Sequence, residues 1–243
     1  FGSVSREVLC ALVNGEAKEL STVIEGEAEV KLLTYKDKEG AEVFRHTAAH
    51  VMAQAVKHLF PEAKLTIGPA TETGFFYDFE CTPFTKENLD AIEKEMKKII
   101  KEGHEITRFT LQREEAIKFM EEKGEPYKVE LIRDLPEDAE ISFYSQGDFV
   151  DLCAGPHIMS TKNIKAFKLI SSSGAYWRGK SENAMLQRIY GTAFNKKEEL
   201  EEYLAYLADI KNRDHNKLGR EMEIFKTVDV IGQGLPLLMP KGT

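Results

Sequence analysis

The pattern of hydrophobic and polar positions predicts a chain that mixes helices with short strands. Apolar residues recur at helical spacing from Phe44 to Phe60, where Pro61 ends the pattern. A second helix is predicted from Thr85, a residue type suited to the N-cap, to Gly103. Three further helices are predicted, at 113–122, 126–131 and 196–218.

Short alternating runs predict strands between these helices. Asn14-Gly15 is a strong signal for a hairpin turn, and it is followed by an alternating run over 28–35. The segment 65–79 is rich in glycine and aromatic residues, which predicts strands joined by a tight turn. Other strands are predicted at 105–111, 141–144, 149–152, 164–171 and 185–194.

Composition excludes several classes of protein. The 243 residues are 42% hydrophobic and 30% charged, which is typical of globular proteins and unlike disordered, collagen-like or coiled-coil chains. No run approaches the ~18 apolar residues of a membrane span. The three cysteines, Cys10, Cys81 and Cys153, are odd in number and far apart, which argues against a disulfide framework and favours a reducing cytoplasm.

The net charge of −8 argues against a general polyanion binder, but the charge is unevenly distributed. Residues 80–150 hold eleven basic residues against eighteen acidic ones, whereas residues 155–192 hold six basic residues against one acidic residue. A local contact with a polyanion therefore remains compatible with the acidic average.

Two pairs of chemically capable residues stand out by their spacing. His46 and His50 share one face of the first helix, roughly opposite its apolar stripe, and Cys153 and His157 follow a predicted strand. These four residues match the ligand set of a tetrahedral zinc site, either structural or catalytic. They also match an acid–base hydrolytic site, in which Asp151 orients a histidine. The alternatives are chance spacing and, for Asp151, a surface carboxylate at a strand end.

Five stretches resemble the editing domain of the threonyl-tRNA synthetase family: 44–56, 67–69 with 74–79, 151–157, 171–179 and 186–194. The editing domain of alanyl-tRNA synthetases is a relative with the same His/His and Cys/His pairs. The Asp-Leu-Cys-Ala-Gly-Pro-His motif at 151–157 favours the threonyl branch.

The resemblance implies an α+β fold of antiparallel sheets with flanking helices. It assigns 1–36 to a partial TGS domain of β-grasp type, 37–194 to the editing domain, 195–217 to a linker helix and 218–243 to the start of a class II catalytic domain. On this interpretation the ATP-binding motifs lie beyond the chain, and no aminoacylation is expected from it.

The resemblance also implies a reaction, the hydrolysis of mischarged seryl-tRNA(Thr). His46, His50, Cys153 and His157 would line the pocket, and Asp151 would recognise the seryl amino group or orient a histidine. Our hypothesis is that His46 and a lysine handle water activation and leaving-group protonation, while Cys153 acts by shape and polarity. No cofactor is expected for editing; zinc on the same four residues is the alternative, and ATP belongs to the catalytic domain.

Two further residues match positions that the family uses in or near this pocket. These residues are Lys128 and Tyr77. Lys128 is the lysine that we expect to act with His46 in water activation and leaving-group protonation. Without the resemblance, Lys128 is interpreted as a solvated helix lysine and Tyr77 as a core aromatic residue of a strand.

The basic segment predicts contact with the acceptor end of tRNA(Thr) through phosphate-binding and stacking side chains. The alternative is that these lysines coat strand edges. The candidates are Lys162, Lys165, Lys168, Tyr176, Trp177, Arg178 and Lys180.

The chain is expected to be a cytoplasmic monomer without membrane contact, from a homodimeric parent. A free-standing trans-editing factor and a zinc-stabilised tRNA-binding module are the alternative functions.

Overall fold

The structure, a computed structural model, describes residues 7–213, 225–227 and 236–238. They fall into two units that divide between Lys196 and Lys197. These residues form five α-helices: α1 Lys38–Leu59, α2 Lys86–Glu102, α3 Arg113–Glu122, α4 Pro126–Asp134 and α5 Lys197–Asn212. They also form twelve strands: β1 Val8–Val13, β2 Glu16–Lys18, β3 Val30–Thr34, β4 Lys64–Leu65, β5 Phe75–Glu80, β6 Ile106–Thr110, β7 Ser142–Gln146, β8 Phe149–Leu152, β9 Ala166–Tyr176, β10 Met185–Phe194, β11 Phe225–Thr227 and β12 Pro236–Leu238.

The first three strands form an antiparallel sheet in the order β2-β1-β3. Asn14 and Gly15 connect β1 to β2 with φ angles of 50° and 86°, the positive pair that a two-residue hairpin of this twist requires. The predicted hairpin is therefore confirmed. Residues 1–6 lie outside the described residues, and the TGS assignment of this sheet stays a prediction.

Helix α1 begins at Lys38, six residues before the predicted start, and ends before Pro61 as predicted. It is buried on nearly every side from Gly40 to Val56, because it contacts β1 and β3 of one sheet, β5 and β10 of another, and α2. The predicted single apolar stripe was therefore too narrow. This burial places the predicted histidine pair inside the unit, at the edge of a cavity.

A four-stranded antiparallel sheet, in the order β4-β5-β10-β9, packs against α1 through β5 and β10. Phe75, Tyr77 and Phe79 of β5 and Ile189 of β10 are buried in the main core. Strand β9 continues to Tyr176, past the predicted end at Ser171, because its hydrogen bonds to β10 continue through the serines. Only the two ends of the predicted strand segment 65–79 are strands.

Helix α2 begins and ends where the sequence predicts. Thr85 caps it by accepting from the Asn88 backbone N–H, and the Asn88 side chain accepts from the Thr85 N–H in return. Gly103 follows its last residue in a left-handed conformation. The helix packs against α1 and covers one side of the core.

A third antiparallel sheet, β6-β7-β8, carries the segment that leads into the candidate site. A second, smaller core holds α3 and α4 on this sheet through Met120, Ile132 and Phe143. Strand β8 ends at Leu152, so residues 153–157 leave the sheet directly at the level of α1. The α+β class with antiparallel sheets is confirmed.

The second unit contains α5 and an antiparallel pair, β11 with β12. The described helix ends at Asn212, and 214–224, 228–235 and 239–243 lie outside the described residues. The linker-helix and catalytic-domain assignments therefore stay predictions. No helix in the described part of the chain combines the length and apolar character needed to cross a membrane.

Candidate active site

A cavity of about 580 Å³ opens where α1, α4, the end of β8 and the segment after β4 meet. Its polar end is formed by the predicted site residues His46, His50, Lys128, Asp151 and Cys153. Its remaining walls include the exposed carboxylates Glu39 and Glu42 of α1 and a set of mainly apolar residues: Ala17, Val43, Ile67, Gly68, Pro69 and Leu131. The cavity thus combines apolar walls with a small number of polar side chains, the usual composition of a small-molecule site.

The two residue pairs predicted from their spacing meet in this place. The Cys153 Sγ lies 3.4 Å from His46 Nε2 and 3.4 Å from His157 Nε2. The ring centroid of His157 is 4.4 Å from that of His46 and 4.2 Å from that of His50. Residues more than one hundred positions apart in the chain therefore form one cluster of three imidazoles and a thiol.

Thr47, next to the first histidine on α1, links that helix to His157. Its hydroxyl donates to the Val43 carbonyl at 2.9 Å and accepts from the Ile158 N–H at 3.2 Å. The same hydroxyl lies 3.0 Å from His157 Nδ1. When its single proton is given to Val43, the ring nitrogen is the donor in this contact, and the His157 Nε2 lone pair then faces Cys153.

A buried polar group lies beside the imidazole cluster. Lys128 Nζ lies 2.6 Å from Asp151 Oδ1, and the Tyr77 hydroxyl donates to Asp151 Oδ2 at 2.6 Å. His50 Nε2 is 3.8 Å from the same Oδ2. Asp151 thus connects α4, β5 and α1 around one carboxylate.

Burial keeps all three imidazoles neutral at physiological pH. It lowers the pKa of His46 to about 4, against the opposing attraction of Asp151. It also places the pKa of His50 well below the usual value, helped by the nearby His46 and Lys128. The pKa of His157 is likewise lowered well below its usual range by burial and by the two neighbouring histidines.

The thiol of Cys153 is protonated for the same reason. Burial raises its pKa to about 12, although the Gly155 N–H, which lies 3.2 Å from the sulfur, opposes the shift. A thiolate is the nucleophilic form of cysteine, so this residue is poorly suited to attack a substrate. Burial and the nearby Asp151 also raise the pKa of Tyr77 well above its usual value, which keeps its hydroxyl a donor.

The loop after β8 is held against a neighbouring strand at Gly155. This glycine has a φ of 73°, and a Cβ at its position would overlap the hydroxyl of Tyr144 in β7. The ring of Tyr144 also packs edge-on against His157, with 4.5 Å between centroids. The approach of the loop to Tyr144 therefore helps to locate both ends of the Cys153–His157 pair.

The same four residues fit a metal ion. One ligand atom from each of His46, His50, Cys153 and His157 lies within 4.8 Å of every other. A tetrahedral zinc ion with usual bond lengths separates its ligands by about 3.5 Å, close to the two sulfur–nitrogen distances of 3.4 Å. The contact of Thr47 with His157 is also typical of residues that support a metal ligand.

Comparison with known proteins identifies the family. Residues 141–190 match the family described as threonyl and alanyl tRNA synthetase second additional domain. Threonine–tRNA ligase from Acetivibrio thermocellus is 59% identical over 240 residues, and that from Clostridium tetani is 58% identical over 238 residues; each match covers 98% of this chain. The chain belongs to the threonyl-tRNA synthetase family. It spans only 38% and 37% of the length of these two relatives.

The similarity to threonyl-tRNA synthetases covers every element of the cavity. The domain match at 141–190 contains Asp151, Cys153 and His157, and the longer matches cover 98% of the chain, with α1 and α4. Tyr77 and Lys128, which the sequence placed near the pocket only through this resemblance, lie in or against it. Thr47 and Tyr144 were missed, because a threonine in a helix and a tyrosine in a strand carry no signal of their own.

The predicted tRNA-binding residues form two groups rather than one patch. Lys162 and Lys165 precede β9, whereas Arg178 and Lys180 follow it. The eleven residues of β9 separate the groups by about 35 Å. Lys168, within β9, pairs with Glu93 at 2.7 Å.

The expected stacking of Trp177 on a tRNA base is wrong, as its position at the tip of the β9–β10 hairpin shows. Trp177 is buried and donates its indole N–H to Glu130 of α4 at 3.2 Å, so the ring is not available for stacking on a base. Arg178 pairs with Glu130 and Asp134 of the same helix. Tyr176 is exposed and remains the candidate stacking residue at the tip.

Proposed function

We propose that this chain is the editing part of a threonine–tRNA ligase and hydrolyses serine from mischarged seryl-tRNA(Thr). The observation that supports it best is the meeting of neutral imidazoles with the Lys128–Asp151 pair at the polar end of the cavity. The longer protein would be a cytoplasmic homodimer that ligates threonine to tRNA(Thr) with ATP in a separate domain.

The proposed substrate follows from a limit on selective binding. Threonine and serine differ by one methyl group, which a binding pocket distinguishes by only about 1–3 kcal/mol. A ligase for threonine therefore needs a second site that removes serine. Cys153 and the loop after it form part of the cavity wall, and we assign to them the exclusion of the additional methyl of threonine.

The chemistry that we assign is addition of water to the ester that joins the amino acid to the terminal ribose. His46 lines the cavity, and as a neutral imidazole it accepts a proton from water as the water oxygen bonds to the carbonyl carbon. The carbonyl electron pair moves onto oxygen. That electron pair then re-forms the carbonyl, the bond to the ribose oxygen breaks, and the ribose oxygen takes a proton from Lys128. Proton exchange with solvent restores neutral His46 and charged Lys128.

Lys128 is the group that we assign to the charges formed in this reaction. Its ammonium is held in place by Asp151 at 2.6 Å, where it can stabilise the oxyanion and protonate the ribose oxygen. Asp151 and the Tyr77 hydroxyl would also bind the seryl amino group or orient His50. A base of low pKa accepts protons weakly, but an aminoacyl ester is already labile, so positioning supplies much of the rate.

Zinc is not required by this proposal, although His46, His50, Cys153 and His157 would hold it. A bound zinc ion would lower the pKa of a coordinated water or, with all four residues as ligands, would have a structural function. In the second case His46 would be unable to act as a base. Full occupation of the four positions and hydrolysis by His46 are therefore mutually exclusive.

The deciding experiment is a deacylation assay with matched seryl-tRNA(Thr) and threonyl-tRNA(Thr). We expect faster release of serine, and loss of that release in His46→Ala and in Lys128→Met. A control is Lys98→Met, which makes the same substitution at an exposed lysine that lies outside the cavity and is not among the predicted tRNA-binding residues. Unchanged hydrolysis in both His46→Ala and Cys153→Ala would disprove the site assignment.

A second candidate is a zinc-stabilised module that binds the tRNA acceptor end without catalysis. It is favoured by the four ligand atoms within 4.8 Å of each other. It predicts about one zinc per purified chain, unfolding by a chelator, and tRNA binding without release of either amino acid. Zinc analysis together with the deacylation assay separates the two functions.

A further inference from the structure

The N-terminal sheet contacts Tyr144 of β7 through Glu19, a carboxylate that no feature of the sequence singles out. Glu19 follows β2, and its side chain is only 13% exposed. The Tyr144 hydroxyl donates to Glu19 Oε1 at 2.9 Å, across 125 positions of the chain. Ala17, two residues earlier, forms part of the cavity wall.

Tyr144 also contacts the 153–157 loop, which carries Cys153 and His157. Its hydroxyl, which Glu19 orients, occupies the space that a Cβ of Gly155 would need. Its ring contacts His157 edge-on at 4.5 Å between centroids. The Gly155 N–H in turn points at the Cys153 sulfur at 3.2 Å. A shift of the tyrosine would therefore move the residues that carry the thiol and the third imidazole.

The contact between Glu19 and Tyr144 is a specific hydrogen bond and not only part of the packing between the N-terminal sheet and β7. Among the described residues, Arg108 is the one cation in ion-pair range of Glu19, at 3.8 Å, and Arg108 has its own closer carboxylate partner in Glu140. The short and directed contact of Glu19 is the one with Tyr144. A hydrogen bond to an ionised acceptor is among the stronger kinds, which suits it to hold one side chain in one position.

We infer that Glu19 is a positioning residue of the active site, and that it acts through Tyr144 on the 153–157 loop. The inference rests on the proposed function for its kinetic consequence, but not for its structural one. The N-terminal sheet thereby contributes to the reaction without touching the substrate through this carboxylate.

The variants that test this are Glu19→Ala, Glu19→Gln and Tyr144→Phe, with Glu16→Ala as the matched control. Glu16 lies in the same hairpin, and its side chain is 75% exposed. The amide oxygen of glutamine can still accept from the tyrosine, and phenylalanine keeps the ring contact with His157 while it loses the hydroxyl. We expect Glu19→Ala and Tyr144→Phe to lower kcat for seryl-tRNA deacylation by about tenfold, with little change in KM. Glu19→Gln should keep most of the rate.

A readout independent of activity is the rate at which a thiol reagent labels Cys153, measured by peptide mapping. Cys10 and Cys81 are free thiols in the same chain and serve as internal references. Loosening of the loop in Glu19→Ala and Tyr144→Phe should speed labelling of Cys153 alone. Equal acceleration at all three cysteines would indicate general destabilisation and would overturn the inference.

The outcomes separate the inference from the proposed function. If the wild-type chain releases no serine, the proposed function fails, and the Cys153 labelling still decides the positioning function. If the wild-type chain releases serine and Glu19→Ala does so at the same kcat with unchanged labelling, the inference fails alone. Glu19→Gln and Glu19→Ala could also lower kcat equally while Tyr144→Phe keeps the wild-type kcat. That result would contradict the inference that Glu19 acts through Tyr144.

Discussion

Lys128 Nζ lies 2.6 Å from Asp151 Oδ1, and the two side chains are 3% and 1% exposed. So complete a burial of two charges is costly unless each satisfies the other, because both have left water. Asp151 has a second partner in the Tyr77 hydroxyl. Each charge of the pair therefore depends on the other for its stability inside the cavity wall. Lys128 also lies where the proposed reaction needs a fixed cation.

Loss of one member of this pair should destabilise the fold and not only the activity. We expect Lys128→Met and Asp151→Leu each to lower the free energy of unfolding by about 3–5 kcal/mol, because each leaves a buried charge without its partner. The double variant should lose much less than the sum. Urea unfolding measures all three.

A surface pair provides the control for this cycle. Lys98 pairs with Glu95 at 3.3 Å, but its side chain is 62% exposed, so Lys98→Met should cost less than about 1 kcal/mol. Additive losses in the Lys128 and Asp151 variants would show that the two charges do not depend on each other.

The sequence predicted the members of the imidazole–thiol cluster because helix geometry and loop length constrain them. His46 and His50 are four apart on a helix, so they share a face wherever the helix lies. Lys128 and Tyr77 could not be placed in this way, since each looks like an ordinary residue of its element. Only the resemblance to the family brought them to the pocket, where the structure also finds them.

Long-range packing explains what the sequence could not predict. The apolar stripe of α1 suggested one buried face, whereas two sheets and α2 bury the helix almost completely. Strand β9 runs through Ser171–Ser173, residues of low strand preference, because β10 supplies the hydrogen bonds. The contact of Glu19 with Tyr144 joins two distant segments, and no local pattern records it.

Thr47→Val should reduce hydrolysis because it removes the hydroxyl that holds His157 Nδ1 at 3.0 Å. The change keeps the size of the side chain but leaves the Ile158 N–H without its acceptor, which should also cost about 1–3 kcal/mol of stability. Deacylation rates and urea unfolding measure the two effects. Thr47→Ser keeps the hydroxyl and should remain close to wild type in the rate; equal losses in the two variants would contradict the argument.

Zinc should inhibit seryl-tRNA deacylation, and a chelator should restore it. The physical reason is competition, because a metal ion that uses all four donor atoms occupies the lone pair of His46 that the proposed reaction needs. The measurement is the deacylation rate of metal-stripped protein with added zinc and then with excess chelator. The outcome opposed to this expectation is loss of activity on chelation and recovery on addition of zinc, which would make the metal part of the catalytic site.

The stability of the first unit should fall as pH rises past neutrality because of His58, outside the cavity. Its ring bridges Glu95 at 2.7 Å and Asp148 at 3.0 Å, linking α1 to α2 and to the β7–β8 turn. Partial burial lowers the pKa of His58, but the hydrogen bonds to these carboxylates outweigh it, so the pKa lies above its usual value of 6.5. Lys98 also faces Glu95, and Gln54 donates to Asp148.

A raised pKa in the folded state determines the direction of the effect. The stabilisation is complete below the unfolded pKa of about 6.5 and is lost as pH rises through the higher folded pKa. The two carboxylates, whose pKa values are lowered by hydrogen bonds to His58, lose their share only in acid. His58→Gln should therefore flatten the fall in urea midpoint between about pH 6 and about pH 8.5. A variant that loses stability as steeply as the wild type over this interval would show that another group causes the pH dependence.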